Sequence, residues 1–269
     1  MKKTSFSRKH LGIPYALFLI MFVIFPLLLI IFYAFTDANG HITFMNFVNF
    51  FKSNANLTAL FISLGLALCT TIICILIAYP VAYILAKNQT SKSGIILLLF
   101  ILPMWINFVL RTAALKELLF ALNMISNEMS FVNTVIGMVY DYLPFAILPI
   151  YTVLSKMDKS LVEASKDLGA SPIKAFFDVT VPLSKPGIIS AITMIFLPTM
   201  TSYVVSDTLG NGNVTIIGKL IENQFSSVFN WNMGSAIALI LLAVIFISML
   251  VTGKFTDNES MDARGSSLW

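Results

Sequence analysis

Charge is what this sequence has least of. Only 11% of its 269 residues are Asp, Glu, Lys or Arg, against 58% hydrophobic, and the mean hydropathy is +0.88. A soluble domain carries about 25% charged residues, so too little polar surface remains here to hold a globule in water. Cysteine is almost absent as well. Cys69 and Cys74 both lie inside one apolar run, five residues apart, and on a helix that spacing turns them to different faces, which argues against a disulfide between them. Histidine is limited to His10 and His41, isolated from each other and outside the apolar runs. With no metal-ligand spacing and no Ser/His/Asp or Cys/His set at one depth, a metal-dependent or covalent enzyme is poorly supported.

What is present is apolar sequence in long runs. About 20 such residues are needed to cross a bilayer core, and six stretches qualify: 13–35, 57–86, 94–112, 133–156, 187–207 and 232–253. The first follows the basic opening "MKKTSFSRKH" but is longer than the core of a signal peptide and has no A-x-A site after it, so it is expected to be retained as a span and signal anchor. Basic residues then orient the chain. With the N-terminus inside, 13 of the 17 Lys and Arg fall in cytoplasmic segments, leaving Lys52, Arg111, Lys116 and Lys219 outside. The expected organisation is an all-α polytopic membrane protein with six transmembrane helices. It has cytoplasmic ends at 1–12 and 254–269, a membrane domain over 13–253, and a charged cytoplasmic loop at 156–186 between the fourth and fifth spans. The pI of about 9.0 is thus a topology signal in short loops, with no basic stripe for nucleic acid.

The loop has its own helix signals. Ser160-Leu161-Val162-Glu163 fits a capping box, and Leu161, Ala164, Ser165 and Leu168 recur at helical spacing. Gly169 stands where a left-handed C-terminal residue is expected. Ser171-Pro172 then opens a second short helix with Ile173, Phe176 and Phe177 on its apolar face, and Val181-Pro182 is expected to end it. A helix pair with exposed apolar residues is a surface-lying amphipathic hairpin, a simple linker, which would need only a few residues, or a docking element for a soluble partner.

The stretch Glu163-Ala164-Ser165, with Gly169 six residues after the Glu and Val179-Thr180-Val181-Pro182 beginning ten after the Gly, resembles the EAA motif of ABC-importer permeases. Ser165 replaces the second Ala, and Val179 and Val181 replace Ile and Leu. The resemblance extends over 101–119, 139–171 and 202–225, segments similar to those of the spermidine/putrescine permeases of B type. It implies a type I importer permease fold. It also implies that Glu163, Ala164, Ser165, Gly169, Val179 and Pro182 couple the chain to an ATP-binding cassette dimer. The other implied partners are a second permease subunit and an extracytoplasmic polyamine-binding protein, in a bacterial inner membrane. ATP and Mg would bind the partner ATPase and no cofactor this chain. "GNGNVTIIGKL" (210–220) does not contradict this, because Gly212 and Gly218 are one residue too far apart for a phosphate loop and Leu220 follows the Lys.

A polyamine path should present carboxylates and aromatic faces. The candidates are Asp141, about 22 Å along a helix from Lys156, with Tyr140 beside it; Trp105 and Asn107 after Pro103; and Tyr203 and Asp207. In the fifth span Thr193, Phe196, Met200, Tyr203 and Asp207 are expected on one face. Each has a plainer reading: Asp141 pairing with Arg111, Asp207 as an interfacial residue, Trp105 and Tyr203 as belt aromatics. The alternatives are an importer of the same architecture for an oxyanion or metal chelate, and an ion-coupled carrier acting alone. The second would show repeated halves or mid-membrane ionisable pairs, and neither is found.

Overall fold

The computed structural model describes residues 8–88 and 91–265; residues 1–7 and 266–269, parts of the two expected cytoplasmic ends, lie outside it. Among the described residues the regular elements are helices, and the sole extended pairing is an isolated bridge between Thr36 and Ile42. Helices α1 (Arg8–Leu19) and α2 (Phe25–Ala34) are joined by a π turn at Ile20–Ile24; α3 (Met45–Lys52) is short and α4 (Asn54–Lys87) long. Next come α5 (Ser91–Ile101), a 3₁₀ turn at Leu102–Trp105, α6 (Phe108–Ala121) and α7 (Ser130–Lys156). The charged loop forms α8 (Lys159–Asp167), α9 (Pro172–Ala175) and a π turn at Phe176–Thr180, which runs into α10 (Val181–Thr201). The chain closes with α11 (Tyr203–Leu209), α12 (Ile217–Ser226) and α13 (Trp231–Gly265).

Five of these helical stretches are long and apolar enough to cross a membrane: Pro14–Ala34, Asn54–Lys87, Ser130–Lys156, Pro172–Thr201 and Trp231–Leu250. The third expected span is different. Instead of one helix over 94–112, Ser93–Trp105 and Phe108–Ala121 meet at a 99° bend. Pro103 and an extended Ile106 break the helix, and Asn107 restarts it by accepting a hydrogen bond from the Val109 N–H at 2.9 Å. The fifth span is also corrected at both ends. Helix continues through Val181-Pro182 rather than stopping there, and it stops at Ser202 rather than reaching Asp207. Thr193 through Asp207 therefore do not share one continuous face.

Both π turns have the same cause. The N–H of Phe25 bonds the Ile20 carbonyl, and that of Val181 the Phe176 carbonyl; in each case the next residue is proline, Pro26 or Pro182. A proline ring clashes with the carbonyl four residues back and supplies no N–H. Widening the preceding turn displaces that carbonyl, so the helix passes the proline unbroken.

The chain divides into two compact units. In the first, made of residues up to Leu57 with Leu220–Val244, the amide of Asn46 donates to the Ala34 and Thr36 carbonyls and that of Asn232 to the Tyr33 and Thr36 carbonyls, satisfying the end of α2. In the second, Thr58–Lys219 with the C-terminal part from Ile245, α7 packs along α10. Gly187 allows that approach, because a Cβ there would meet the backbone of Pro149 and Ile150 at 3.0–3.1 Å. Helix α4 buries Ala67, Thr70, Cys74, Ala78 and Ala82 at three- and four-residue steps, the small-residue stripe that lets membrane helices pack closely. Cys69 faces outward and Cys74 inward, as their spacing implies.

Candidate functional site

The loop hairpin is organised by local chemistry. Helix α8 starts two residues earlier than the capping-box reading places it: Asp158, not Ser160, is the cap, its carboxylate accepting from the Ser160 N–H at 3.0 Å. That hydrogen bond holds the exposed Asp158 carboxyl below the ordinary carboxylate value. Gly169 has φ +91°, and its N–H bonds the Lys166 carbonyl while that of Ala170 bonds the Ser165 carbonyl. This pair of bonds is the Schellman ending that a left-handed glycine makes possible. Ser171 caps α9 through the Lys174 N–H at 3.2 Å.

The motif positions separate onto two sides. Ala164, Ser165, Gly169 and Val179 line one outward groove of about 470 Å³ together with Leu161 and Leu168, and Leu168 is 89% exposed. Small residues at 164, 165 and 169 keep this groove open. Glu163 lies on the opposite side, in a cleft against the ends of α4 and α7. Pro182 belongs to the first turn of α10.

How the hairpin is fastened was not anticipated from the sequence. Phe176 sits edge-on between Tyr79 and Tyr83 of α4, with ring centroids 5.8 and 5.2 Å away. The Tyr79 hydroxyl is 2.8 Å from that of Ser184 on α10. The hairpin is thus joined to two spans at once, to α4 through an aromatic clamp and to α10 through continuous helix. Tyr79 and Tyr83 are four apart in an apolar run, which marks a shared face but names no partner.

The path candidates fall into two clusters. Asp141 pairs with Arg111 at 3.0 Å, both side chains at most 7% exposed, and accepts a second bond from Thr112 at 3.0 Å. The Arg111 guanidinium lies 5.7 Å from the Tyr140 ring centroid. Its Nε and Nη1 find no acceptor among the described residues. A cleft of about 390 Å³ opens beside the pair, lined also by Trp105, Asn107, Tyr142 and Phe145. Trp105 is 88% exposed. Asp207 and Tyr203 form the other cluster, both holding Lys219: its ammonium is 2.7 Å from the Asp207 carboxylate and 5.7 Å from the Tyr203 ring centroid. Lys219, the lysine of the Gly-rich stretch, is committed to this contact, and its neighbour Gly218 packs directly on the backbone of Thr201.

A multi-span helical chain with a charged helical hairpin before its penultimate long helix is the architecture of an importer permease, and comparison with known proteins agrees. Residues 7–255 match the family described as binding-protein-dependent transport system inner membrane component, and the chain belongs to that family. It is a multi-pass membrane protein and the permease of an ABC importer. The chain is 34% identical over 266 residues to the spermidine/putrescine transport system permease protein PotB of Haemophilus influenzae, covering 91% of this chain and 92% of the other. With the Escherichia coli K12 protein of the same name it is 36% identical over 203 residues, 70% and 74% of the two chains. Its fold is similar to that of a chain in the crystal structure of a bacterial alginate ABC transporter in complex with alginate pentasaccharide-bound periplasmic protein, with a TM-score of 0.71, 15% identity and 91% of each chain covered.

Proposed function

We propose that this permease carries polyamines and is driven through the 156–186 loop by a separate ATPase dimer. Support for the substrate class comes from the names of its relatives and, in this chain, from one arrangement above the rest: an ammonium group held between a carboxylate and an aromatic face, Lys219 with Asp207 and Tyr203. That is the chemistry by which a protonated amine is recognised. Asp141, Asp207, Tyr203, Trp105, Tyr140 and Asn107 form the path in this reading. Arg111 and Lys219 act as resident cations that keep the two carboxylates paired until a substrate ammonium replaces them. Asn107 also fixes the bend that presents Trp105. The ATPase grips the groove formed by Ala164, Ser165, Gly169 and Val179, and its closure on ATP and Mg moves α8 and α9, with Phe176 passing the motion to α4. A second permease subunit completes the path, and an external binding protein delivers the solute. The basic segments, and with them both termini, face the cytoplasm.

An anionic solute is the second reading, favoured by the Nε and Nη1 of Arg111, which find no acceptor among the described residues. Uptake of labelled spermidine, putrescine and an oxyanion separates the two. The chain is co-expressed with its ATPase, second permease and binding protein in cells lacking their own system. Polyamine uptake that is lost in Gly169→Asp, with the variant still in the membrane but no longer retaining its ATPase, supports substrate and coupling loop together. An assembled, ATP-hydrolysing complex that moves no polyamine removes the substrate assignment and leaves the permease.

A further inference from the structure

The cleft behind the hairpin contains none of the groove residues assigned to the ATPase, yet it is built like a binding site. Its volume is about 200 Å³, and it lies between the inner face of α8 and the ends of α4 and α7. Three lysines line it, Lys87, Lys159 and Lys166, with Glu163 the one acid among the lining residues. Two of the three positive charges are thus left without a carboxylate inside the cleft.

Thr180 provides an independent sign of a missing partner. It is 1% exposed, lines the same cleft, and its hydroxyl has no hydrogen-bond partner among the described residues. Thr112, Thr134 and Thr199, also buried in helices, each return their hydroxyl to the carbonyl four residues back. Thr180 ends the π turn forced by Pro182, where the carbonyls are shifted in register. A buried hydroxyl left unpaired is costly, and here it borders a cavity rimmed by lysines.

We infer that this cleft binds a phosphate-bearing anion, its oxygens accepting from the Thr180 hydroxyl and from Lys87, Lys159 and Lys166. The remaining wall is apolar, formed by Leu154, Met157 and Phe176, and Lys87 is the last residue of a span. A phospholipid headgroup at the membrane boundary and a free phosphate both have the required chemistry. An occupant would bridge α8 to α4 and α7 and so stiffen the hairpin against the spans. The site makes this permease responsive to its phosphate or lipid surroundings whatever solute it carries.

The test uses the assembled transporter in phosphatidylcholine nanodiscs, doped with phosphatidylglycerol that carries a photo-crosslinker in its headgroup. Labelled peptides are mapped by mass spectrometry. Radiolabelled inorganic phosphate, applied to the detergent-purified complex, is the second arm. Headgroup labelling is expected within 83–87 and 157–180, falling about five-fold on Lys87→Gln and again on Lys166→Gln. Thr180→Val, which leaves every charge in place, should also lower it. Labelling that survives excess inorganic phosphate assigns the occupant to lipid. Saturable phosphate binding lost in the same variants assigns it to soluble phosphate, and either result supports the site. Labelling unchanged in Thr180→Val and Lys87→Gln, or neither probe binding a complex that retains its ATPase, overturns it.

Discussion

The hairpin and the Arg111–Asp141 pair are both charged regions of a chain poor in charge, and they are stabilised in opposite ways. In the hairpin the ionised groups are exposed, so water satisfies them and local sequence decides the shape: a cap at Asp158, a left-handed Gly169, a second cap at Ser171. Arg111 and Asp141 are almost withdrawn from solvent, and each charge is tolerable because the other is 3.0 Å away on a different helix. Where solvent is present, the neighbours in sequence determine structure. Where it is absent, the neighbours in space do.

That contrast is broken most severely at the buried pair. Arg111→Met strands a carboxylate and is expected to cost about 3–5 kcal/mol, read as lost membrane yield and a lower melting temperature of the purified complex. The double variant Arg111→Met, Asp141→Leu should recover most of that yield. A single variant as stable as the parent chain would show that the pair is not sealed from water.

Next in size is the clamp between the hairpin and α4. Phe176→Ala removes a half-buried ring and is expected to cost about 2 kcal/mol while leaving the spans intact. Its signature is uncoupling: ATP hydrolysis by the assembled complex continues while uptake falls. Normal uptake would mean that α10 alone transmits the motion.

Gly169→Ala tests the hairpin itself. A Cβ at this position meets nothing within 4 Å, so the left-handed backbone is the only source of strain, about 1–2 kcal/mol. Faster amide exchange at the C-terminal end of α8 and weaker ATPase retention are expected, with Gly169→Asn milder than Gly169→Ala.

The smallest effect is a pH dependence confined to α8. The Asp158 carboxyl lies below its ordinary value because a backbone N–H donates to it. A depressed folded-state value means that the cap is intact at neutral pH and is lost only as pH falls through that value. Exchange protection at the start of α8 should therefore decline in acid, and Asp158→Asn should abolish the decline.

Much of this was legible in the sequence, for reasons particular to each part. The spans were visible because lipid demands about 20 apolar residues in a row. Gly169 and Ser171 were visible because caps and left-handed turns are local. The start of α8 was misplaced by a capping-box pattern at Ser160, although Asp158 two residues earlier offers the same acceptor chemistry. Pro103 was noticed, but a proline in an apolar run does not say whether the helix kinks, stops or turns back, and the 99° bend depends on what packs around it. Pro182 shows the converse. It read as a terminus, yet one widened turn lets the helix pass.

By itself the sequence determined that the chain spans a membrane repeatedly, with a charged helix pair between two spans and a motif that marks its family. Composition and local grammar suffice for these, since burial in lipid and capping of helix ends act on residues near in sequence. Only the tertiary structure decided which cation each carboxylate holds, on which side of the hairpin Glu163 lies, and that Phe176 ties the hairpin to α4. Those choices rest on contacts between residues such as Arg111 and Asp141, or Tyr83 and Phe176, that are far apart along the chain. Their energy exists only once the helices have packed.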